Sequence, residues 1–272
     1  MSIRRGRSSS SSISSLAAKP GIPASVDRWR FGEPPLPRNQ DFIDRDSELH
    51  ALWQALQPQP GPRRVCVVTG PAGSGKTQLA LEYAYRYGHH YDHCLWLNKK
   101  DFLDSYSFGA GSHLLILDAA ADDAIQDAMN ETQISDEKVC RSDRIHDLLA
   151  QIPAENVCIL LTARAAQAQS DVQLGGLPSE DALRWLQDAL PASWQGWYNA
   201  PLLSLYQAVR GLPFPLSVLR RIMRHGYRTP AEIWQRVEQQ GAGVWLSSEI
   251  QRNPALSYCS EDELPPALAV LQ

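Results

Sequence analysis

The sequence lacks several features that define common protein classes. It has no apolar run near the roughly 20 residues that a membrane-spanning helix needs. Its five cysteines are odd in number and show no Cys-x-x-Cys spacing, which fits a reducing compartment rather than a disulfide framework. It also lacks a basic excess, since its formal net charge of −4 argues against a general nucleic-acid binder. We therefore expect a cytoplasmic globular protein with neither a membrane nor a nucleic-acid partner.

The most informative stretch, residues 70–77, fits the pattern Gly-x-x-x-x-Gly-Lys-[Ser/Thr]. It follows the apolar run 65–69 and precedes a helix-forming segment, the context typical of a phosphate-binding loop. Glycines let main-chain N–H groups curl around phosphate oxygens, and the new helix directs its partly positive N-terminus at the same anion. The predicted nucleotide-binding residues here are Gly70, Pro71, Ala72, Gly73, Ser74, Gly75, Lys76, Thr77 and Gln78.

Four side chains have predicted chemical roles. Lys76 would reach the β- and γ-phosphates, and the Thr77 hydroxyl would ligate Mg²⁺. Asp118 ends another apolar run, and a carboxylate there is the usual second anchor of Mg²⁺, directly or through water. Arg164 follows a further apolar run and is a candidate contact of the γ-phosphate, with a surface arginine as the alternative. Lys76, Asp118 and Arg164 are thus the candidate catalytic residues.

Alternating apolar runs and helical stretches predict the fold class. Continuous apolar runs are typical of parallel strands buried on both faces, and ligands then lie at the carboxyl ends of those strands. The predicted strands are 65–69, 93–97, 114–118 and 157–162. We expect an α/β fold, a three-layer P-loop NTPase domain with a parallel sheet, followed by a partial helical bundle.

The predicted domain organisation has four parts. They are a disordered Ser/Pro-rich tail at 1–40, the P-loop domain at 41–175, a helical subdomain at 176–245, and a partial or disordered C-terminal segment at 246–272. Order is expected to begin near Phe42 with an amphipathic helix around Leu49–Leu56. In the helical half, Ser179 is the candidate N-cap of the first helix. Later helices are predicted around 202–209, 215–223 and 231–239.

Two other groups of residues are not expected to form a binding site. A loosely metal-like spacing of His89, His90, His93 and Cys94 has no second supporting cluster, so a metal site is not expected there. Tryptophans in the helical half are interpreted as core packing residues rather than as a surface that stacks on nucleic-acid bases, because the net charge of the protein is negative. They are Trp185, Trp194, Trp197, Trp234 and Trp245.

Six ordered motifs carry a resemblance to a known family. They are 42–49, the phosphate loop continuing to 83, 91–98, 115–118, 162–164 and 211–216. Together they resemble the NB-ARC branch of the STAND P-loop NTPases, the switch ATPases of NOD-like receptors and of related fungal proteins that often carry TPR arrays. The resemblance spans about residues 42–240 and suggests a chain truncated after the first helical subdomain.

The resemblance implies residue roles and a function. Arg45 and Pro213 would flank the adenine and ribose, Lys76 and Thr77 the phosphates and Mg²⁺, Asp118 the Mg²⁺, and Arg164 the γ-phosphate. The implied ligand is ADP or ATP with Mg²⁺. Exchange of one nucleotide for the other would switch the protein between a closed and an open state. Effector or sensor proteins, or further copies of the chain, are the implied partners.

Several departures from the family keep other functions open. Ala119 stands where the family has a second acid that positions water, so slow or absent hydrolysis is expected. Asp44 replaces a preferred glycine, the connection 98–113 is short, and no winged-helix domain or TPR array is recognisable. The alternatives are a working ATPase or phosphotransferase, and a degenerate NTPase that binds nucleotide without switching.

Overall fold

The computed structural model of the protein describes residues 37–43, 45–97, 108–118, 152–163, 170–194, 198–225, 228–256, 268 and 271. Its first part contains α1 (Asp46–Leu56), β1 (Arg64–Thr69), α2 (Lys76–Tyr87), β2 (His93–Leu97), β3 (His113–Asp118), β4 (Val157–Ala163) and β5 (Val172–Gln173). Its second part contains α3 (Ser179–Gln187), α4 (Asn199–Ala208), α5 (Pro213–Arg224), α6 (Pro230–Gln240) and α7 (Ala242–Arg252). Single 3₁₀ turns lie at Gly88–His90, Ala192–Trp194 and Pro254–Leu256.

The described strands form one parallel sheet in the order β2-β3-β4-β1-β5. Strand β4 lies between β1 and β3, and all its residues are buried. Burial on both faces explains why the strands read as continuous apolar runs rather than alternating ones. The prediction of an α/β, P-loop NTPase-like domain with a parallel sheet is therefore confirmed, as is the helical part that follows it.

The two faces of the sheet have separate apolar clusters. Helices α1 and α2 cover one face, where Leu52 and Leu79 pack with side chains from β1, β2, β3 and β4. The opposite face carries alternate residues of the same strands, with Ile152 and Phe108 packed against them. Cys66, Cys94 and Cys158 are free thiols buried in the first cluster. Burial raises the pKa of the Cys66 thiol to about 12.

The helical part has a core of its own. Residues from α3 to α7 form one cluster around the fully buried Trp245, and Trp185, Trp194 and Trp234 pack against it. This confirms the packing role predicted for those tryptophans, while Trp197 lies outside the described residues. Helix α6 begins with a capping box in which Thr229 accepts from the Glu232 N–H. In the part of the chain that the structure describes, no helix is both long and apolar enough to cross a membrane.

Three elements differ from the sequence-based expectation. Strand β5 was not predicted, because its two residues give no apolar run. The prediction of Ser179 as an N-cap was wrong, since Pro178 occupies that position with an extended backbone and Ser179 is already helical. Helix α7 was also missed and crosses the predicted boundary at 245.

A short segment before α1, residues 37–43, contacts both parts of the protein and is called the strap below. The strap begins at residue 37, whereas order was predicted to start near Phe42. Arg38 of the strap donates two hydrogen bonds to the Glu82 carboxylate on α2, at 2.9 Å and 2.7 Å. Arg86 donates a third at 2.6 Å. Burial raises the pKa of Glu82, but these two guanidinium groups outweigh burial and hold it below its ordinary value of 4.5.

The depressed pKa of Glu82 predicts a loss of stability in acid. A carboxyl whose folded pKa lies below its unfolded pKa stabilises the fold fully above the unfolded value of 4.5, and this contribution disappears as the pH falls towards the folded pKa. We expect Glu82→Gln to lower the free energy of unfolding by about 1–3 kcal/mol at neutral pH. That deficit should shrink as the pH falls below about 4.5.

Urea unfolding at a series of pH values measures this difference. Glu180→Gln is the matched control, since the Glu180 side chain is 84% exposed in its ion pair with Arg184. Such a surface pair contributes little, so the control should change the unfolding free energy by at most about 0.5 kcal/mol. A deficit in Glu82→Gln that is the same at every pH would contradict the ion-pair explanation.

Candidate phosphate-binding site

The Gly-rich stretch forms a curled loop between strand and helix. Strand β1 ends at Thr69, and α2 begins at Lys76. Within the loop, the Ser74 N–H donates to the Pro71 carbonyl at 3.2 Å, which closes a turn. Gly75, directly before α2, has φ +91°, a left-handed conformation that favours glycine. The stretch from Gly70 to Gly75 is therefore folded back on itself at the N-terminus of a helix.

Gly70 is enclosed by its neighbours. A Cβ placed on Gly70 would lie 2.7 Å from the Leu174 carbonyl oxygen and 2.7 Å from Ser74 Oγ. The Leu174 N–H in turn donates to the Thr69 carbonyl at 2.7 Å. The chain after β5 thus packs against the start of the loop, and only a residue without a side chain fits there.

Lys76 lies over the loop that it follows. Its Nζ donates to the carbonyl oxygens of Gly70, at 2.9 Å, and of Pro71, at 3.0 Å. The residue is 5% exposed, so its position is set by the loop rather than by solvent. The ammonium group is therefore held within the curve of the loop, where an anion would meet it together with the N-terminal N–H groups of α2.

Asp118 and Thr77, the two predicted Mg²⁺ residues, are in direct contact. The Thr77 hydroxyl donates to Asp118 Oδ1 at 3.1 Å. A second hydroxyl, from the fully buried Thr162 of β4, donates to the same oxygen at 2.6 Å. Because Thr77 uses its proton for Asp118, the lone pairs of its oxygen remain for a metal ion. The parallel sheet thus brings together the loop and the ends of β3 and β4.

This donor set fits Mg²⁺ held jointly with a phosphate ligand. Mg²⁺ prefers oxygen ligands and is usually bound through one or two carboxylates, with water and substrate phosphates completing its shell. Thr77 and Asp118 supply one hydroxyl and one carboxylate. In the described ranges, no group of three or more His, Cys, Asp or Glu side chains could hold a metal ion. Phosphate oxygens and water would have to complete the shell.

Pro213 and the start of α5 lie against the loop. The Phe214 N–H donates to the Gly73 carbonyl at 3.1 Å. A Cβ placed on Gly75 would lie 3.7 Å from Pro213 Cγ, an ordinary contact distance. Helices α2 and α5 therefore both begin at the phosphate loop, although they belong to different parts of the protein.

Of the other predicted site residues, Arg45 and Gln78 are described by the structure and Arg164 is not. Arg45 is 7% exposed, and its guanidinium donates to Glu48 Oε1 at 2.6 Å and to the Gly175 carbonyl at 2.7 Å. It thereby supports the chain segment whose Leu174 packs on Gly70. Gln78 lies in the first turn of α2, and its Oε1 is buried with no hydrogen-bond partner among the described residues. Arg164, Ala119 and Asp44 lie outside the described residues.

Two contacts of the site were missed from the sequence. Thr162 was predicted as the last residue of a strand and as part of a motif, but its hydrogen bond to Asp118 was not predicted. The bond between Phe214 and Gly73 links residues far apart in the chain and has no local signal. For Thr162, a polar residue ending an otherwise apolar buried run was a usable signal, because buried hydroxyls almost always have a partner.

Comparison with known proteins gives only weak likenesses. No family model matches the sequence, and no curated protein matches it. Among solved structures, the chain is similar to part of an E. coli MS115-1 HORMA:CdnC:Trip13 complex, with 15% identity, TM-score 0.38, and coverage of 60% of this chain and 72% of that one.

Two further structures are similar at the same level. A Signal Transduction ATPase with Numerous Domains with a tetratricopeptide repeat sensor, from Pyrococcus horikoshii, has 19% identity and TM-score 0.39, over 72% of this chain and 32% of that one. Domain III of the replication initiation protein DnaA from Thermotoga maritima has 14% identity and TM-score 0.37, over 82% of this chain and all of that one. The fold assignment rests on the sheet and loop described above.

The enclosure of Gly70 predicts a steric effect that needs no ligand. In Gly70→Ala the new methyl group would meet two polar atoms at 2.7 Å, so the loop or the segment around Leu174 must move. We expect a loss of about 1–3 kcal/mol in the free energy of unfolding, measured by urea denaturation. Gly175→Ala is the matched control, since a Cβ there meets nothing within 4 Å. Equal stability of the two variants would contradict the packing described here.

Proposed function

We propose that the protein binds an adenine nucleotide, ADP or ATP with Mg²⁺, and works as a nucleotide-gated switch that hydrolyses ATP slowly or not at all. Support for nucleotide binding comes from the curled loop, from the Lys76 ammonium held within it, and from the contact between Thr77 and Asp118. Main-chain N–H groups, a lysine and a hydroxyl are the groups that bind a di- or triphosphate in P-loop proteins. Bound Mg²⁺ would neutralise part of the phosphate charge.

The proposal that the base is adenine rests on Arg45 and Pro213, which the resemblance to the NB-ARC family places beside the adenine and ribose. Pro213 lies at the end of the loop next to Gly75, which is a suitable place for a contact with the nucleoside. Arg45 holds Gly175 and so shapes the segment beside the loop. We propose both as residues of the nucleoside side of the site.

One observation carries the proposal of a switch rather than a simple binding domain. The Phe214 N–H of the helical part donates directly to the Gly73 carbonyl of the phosphate loop. A ligand that changes the conformation of Gly73 must therefore change this bond, and with it the balance between positions of the helical part. Slow hydrolysis is proposed because Ala119, and not an acid, directly follows Asp118, the position from which a carboxylate would orient water.

The role of Lys76 predicts the result of a thermal-shift experiment. At about 100 times its Kd, a ligand adds roughly 2.7 kcal/mol of stability, which should raise the Tm of the parent protein by about 5–10 °C. We expect ADP or ATP with Mg²⁺ to give this shift, and Lys76→Ala to abolish it. The surface variant Arg236→Ala on α6 should retain it.

Two outcomes would count against the proposal. An equal shift in Lys76→Ala would exclude the loop as the binding site. A larger shift with GTP than with ADP or ATP would contradict adenine selectivity. Since Lys76→Ala also loses two hydrogen bonds to the loop, the comparison uses the ligand-induced change in Tm and not the Tm itself.

The contact of Thr162 with Asp118 predicts a specific loss of Mg²⁺ dependence. Thr162→Val keeps the shape of the side chain but removes the hydrogen bond that orients Asp118. We expect the ratio of nucleotide affinity with Mg²⁺ to that in EDTA to fall by about 10-fold, since one hydrogen bond to a charged group contributes about 1.5 kcal/mol. Affinity in EDTA should stay near that of the parent.

Isothermal titration with and without Mg²⁺ measures both affinities. Thr162→Ser, which keeps the hydroxyl, is the matched control and should retain most of the Mg²⁺ effect. A Thr162→Val protein that loses affinity equally in both buffers would indicate a general structural role instead.

A further inference from the structure

Two helices from different parts of the protein begin at the phosphate loop. Helix α2 begins at Lys76, directly after the loop, and α5 begins at Pro213, where the Phe214 N–H reaches the Gly73 carbonyl. The loop is thus one junction between the two parts. A hinge at this point alone would leave the angle between the helices free to change.

The strap supplies a second junction between the same helices. At one end Arg38 binds Glu82 of α2 with two hydrogen bonds. Three residues later, Asp41 pairs with Arg220 of α5 at 2.8 Å. Glu82 lies about 9 Å along α2 from Lys76, and Arg220 about 10 Å along α5 from Pro213, at 1.5 Å per helical residue. The loop, α2, the strap and α5 therefore form a closed ring.

The apolar contacts of the strap are also divided between the two parts of the protein. Phe42 packs against the cluster on the sheet face covered by α1 and α2, whereas the next residue, Ile43, packs against the core of the helical part. The turn between the two ion pairs is fixed within the strap, because Asn39 Oδ1 accepts the Asp41 N–H at 2.9 Å. Adjacent strap residues thus hold opposite sides of the boundary.

The two ion pairs differ in exposure. The Glu82 side chain is 4% exposed and binds a second arginine, Arg86, so separating it from Arg38 would leave a buried charge short of a partner. In the second pair the Asp41 carboxylate is 39% exposed, so water can replace Arg220 around it, while the Arg220 side chain is 14% exposed. Arg220 keeps other contacts within its own part, since it lies over the Trp185 ring at 4.9 Å and donates to the Trp185 carbonyl at 3.2 Å.

We propose that the strap is a regulatory clasp, fixed to α2 through Arg38 and releasable from α5 at the Asp41–Arg220 pair. While the pair is closed, α5 stays against the phosphate loop and slows release of a nucleotide held there. Opening the pair lets the helical part move away from Gly73. The control of nucleotide release rests on the proposed function, whereas the clasp between the two parts does not.

Amide hydrogen exchange tests the clasp without any ligand. The Phe214 N–H, which donates to the Gly73 carbonyl, reports on the boundary between the two parts. We expect Asp41→Asn to speed its exchange by roughly 2- to 5-fold, as loss of a partly exposed ion pair allows. Exchange in the buried strand β4 should not change.

Release of a fluorescent ADP analogue, measured by stopped flow with Mg²⁺, tests the control of the site. We expect the dissociation rate to rise by a similar factor of roughly 2 to 5 in Asp41→Asn. Asp41→Glu, which keeps the charge, should stay near the parent. Asp46→Asn is the matched control, because Asp46 also pairs with an arginine, Arg86, but within one part of the protein.

The outcomes separate the clasp from the proposed function. Faster exchange and faster release in Asp41→Asn, with neither in Asp46→Asn, would support the inference. Unchanged exchange in Asp41→Asn, or an equal effect in both variants, would overturn the clasp. A parent protein that binds no nucleotide would overturn the proposed function and the control of release, while the exchange measurement would still decide whether the clasp exists.

Discussion

The parallel pairing of β3, β4 and β1 is the constraint on which the site depends. Asp118, Thr162 and Val68 occupy one register row across these strands, directly before the chain leaves the sheet. Parallel strands bring their carboxyl ends to the same edge, so the phosphate loop after β1 meets the Asp118 carboxylate without further adjustment. Because β4 separates β1 from β3, its own polar residue, Thr162, is placed beside that carboxylate. A different strand order would break this arrangement while leaving every local motif intact.

Local patterns made much of the architecture predictable, and their limits explain what was missed. Buried strands appear as continuous apolar runs, and the loop has a fixed residue spacing, so both could be read directly. Helix α7 was missed although Ala242, Trp245, Leu246 and Ile250 have helical spacing and are buried. Thr162 could be expected to have a hydrogen-bond partner, but that partner could not be named without the strand order. The contacts of the strap could not be predicted, because they depend on how the two parts pack. Sequence separation, rather than residue type, set this limit.

Burial decides which of the ion pairs can fix the position of one segment on another. The ion pair of Arg184 and Glu180 is largely exposed and contributes little to stability. Glu82, by contrast, is buried beneath Arg38 and Arg86 on the helix that follows the phosphate loop. Replacing such a group by an apolar one often costs no stability, so a buried ion pair has its best-attested use in fixing one arrangement among several. Here that arrangement is the position of the strap on α2.

The size of the interaction between a bound anion and the N-terminus of α5 limits how strongly the loop and the helical part can be coupled. An anion in the loop would interact favourably with the N-terminus of α5 only while α5 stays against Gly73, and one helix end contributes about 0.3–1 kcal/mol. That is at most about a fivefold bias between two positions. Converting a population from 1:99 to 99:1 needs a bias of about 10⁴-fold. The helix end alone is therefore far too weak to make a complete switch. In the proposed switch, most of the difference in affinity would therefore have to come from contacts between the nucleoside and the helical part, a role proposed for Pro213, the first residue of α5.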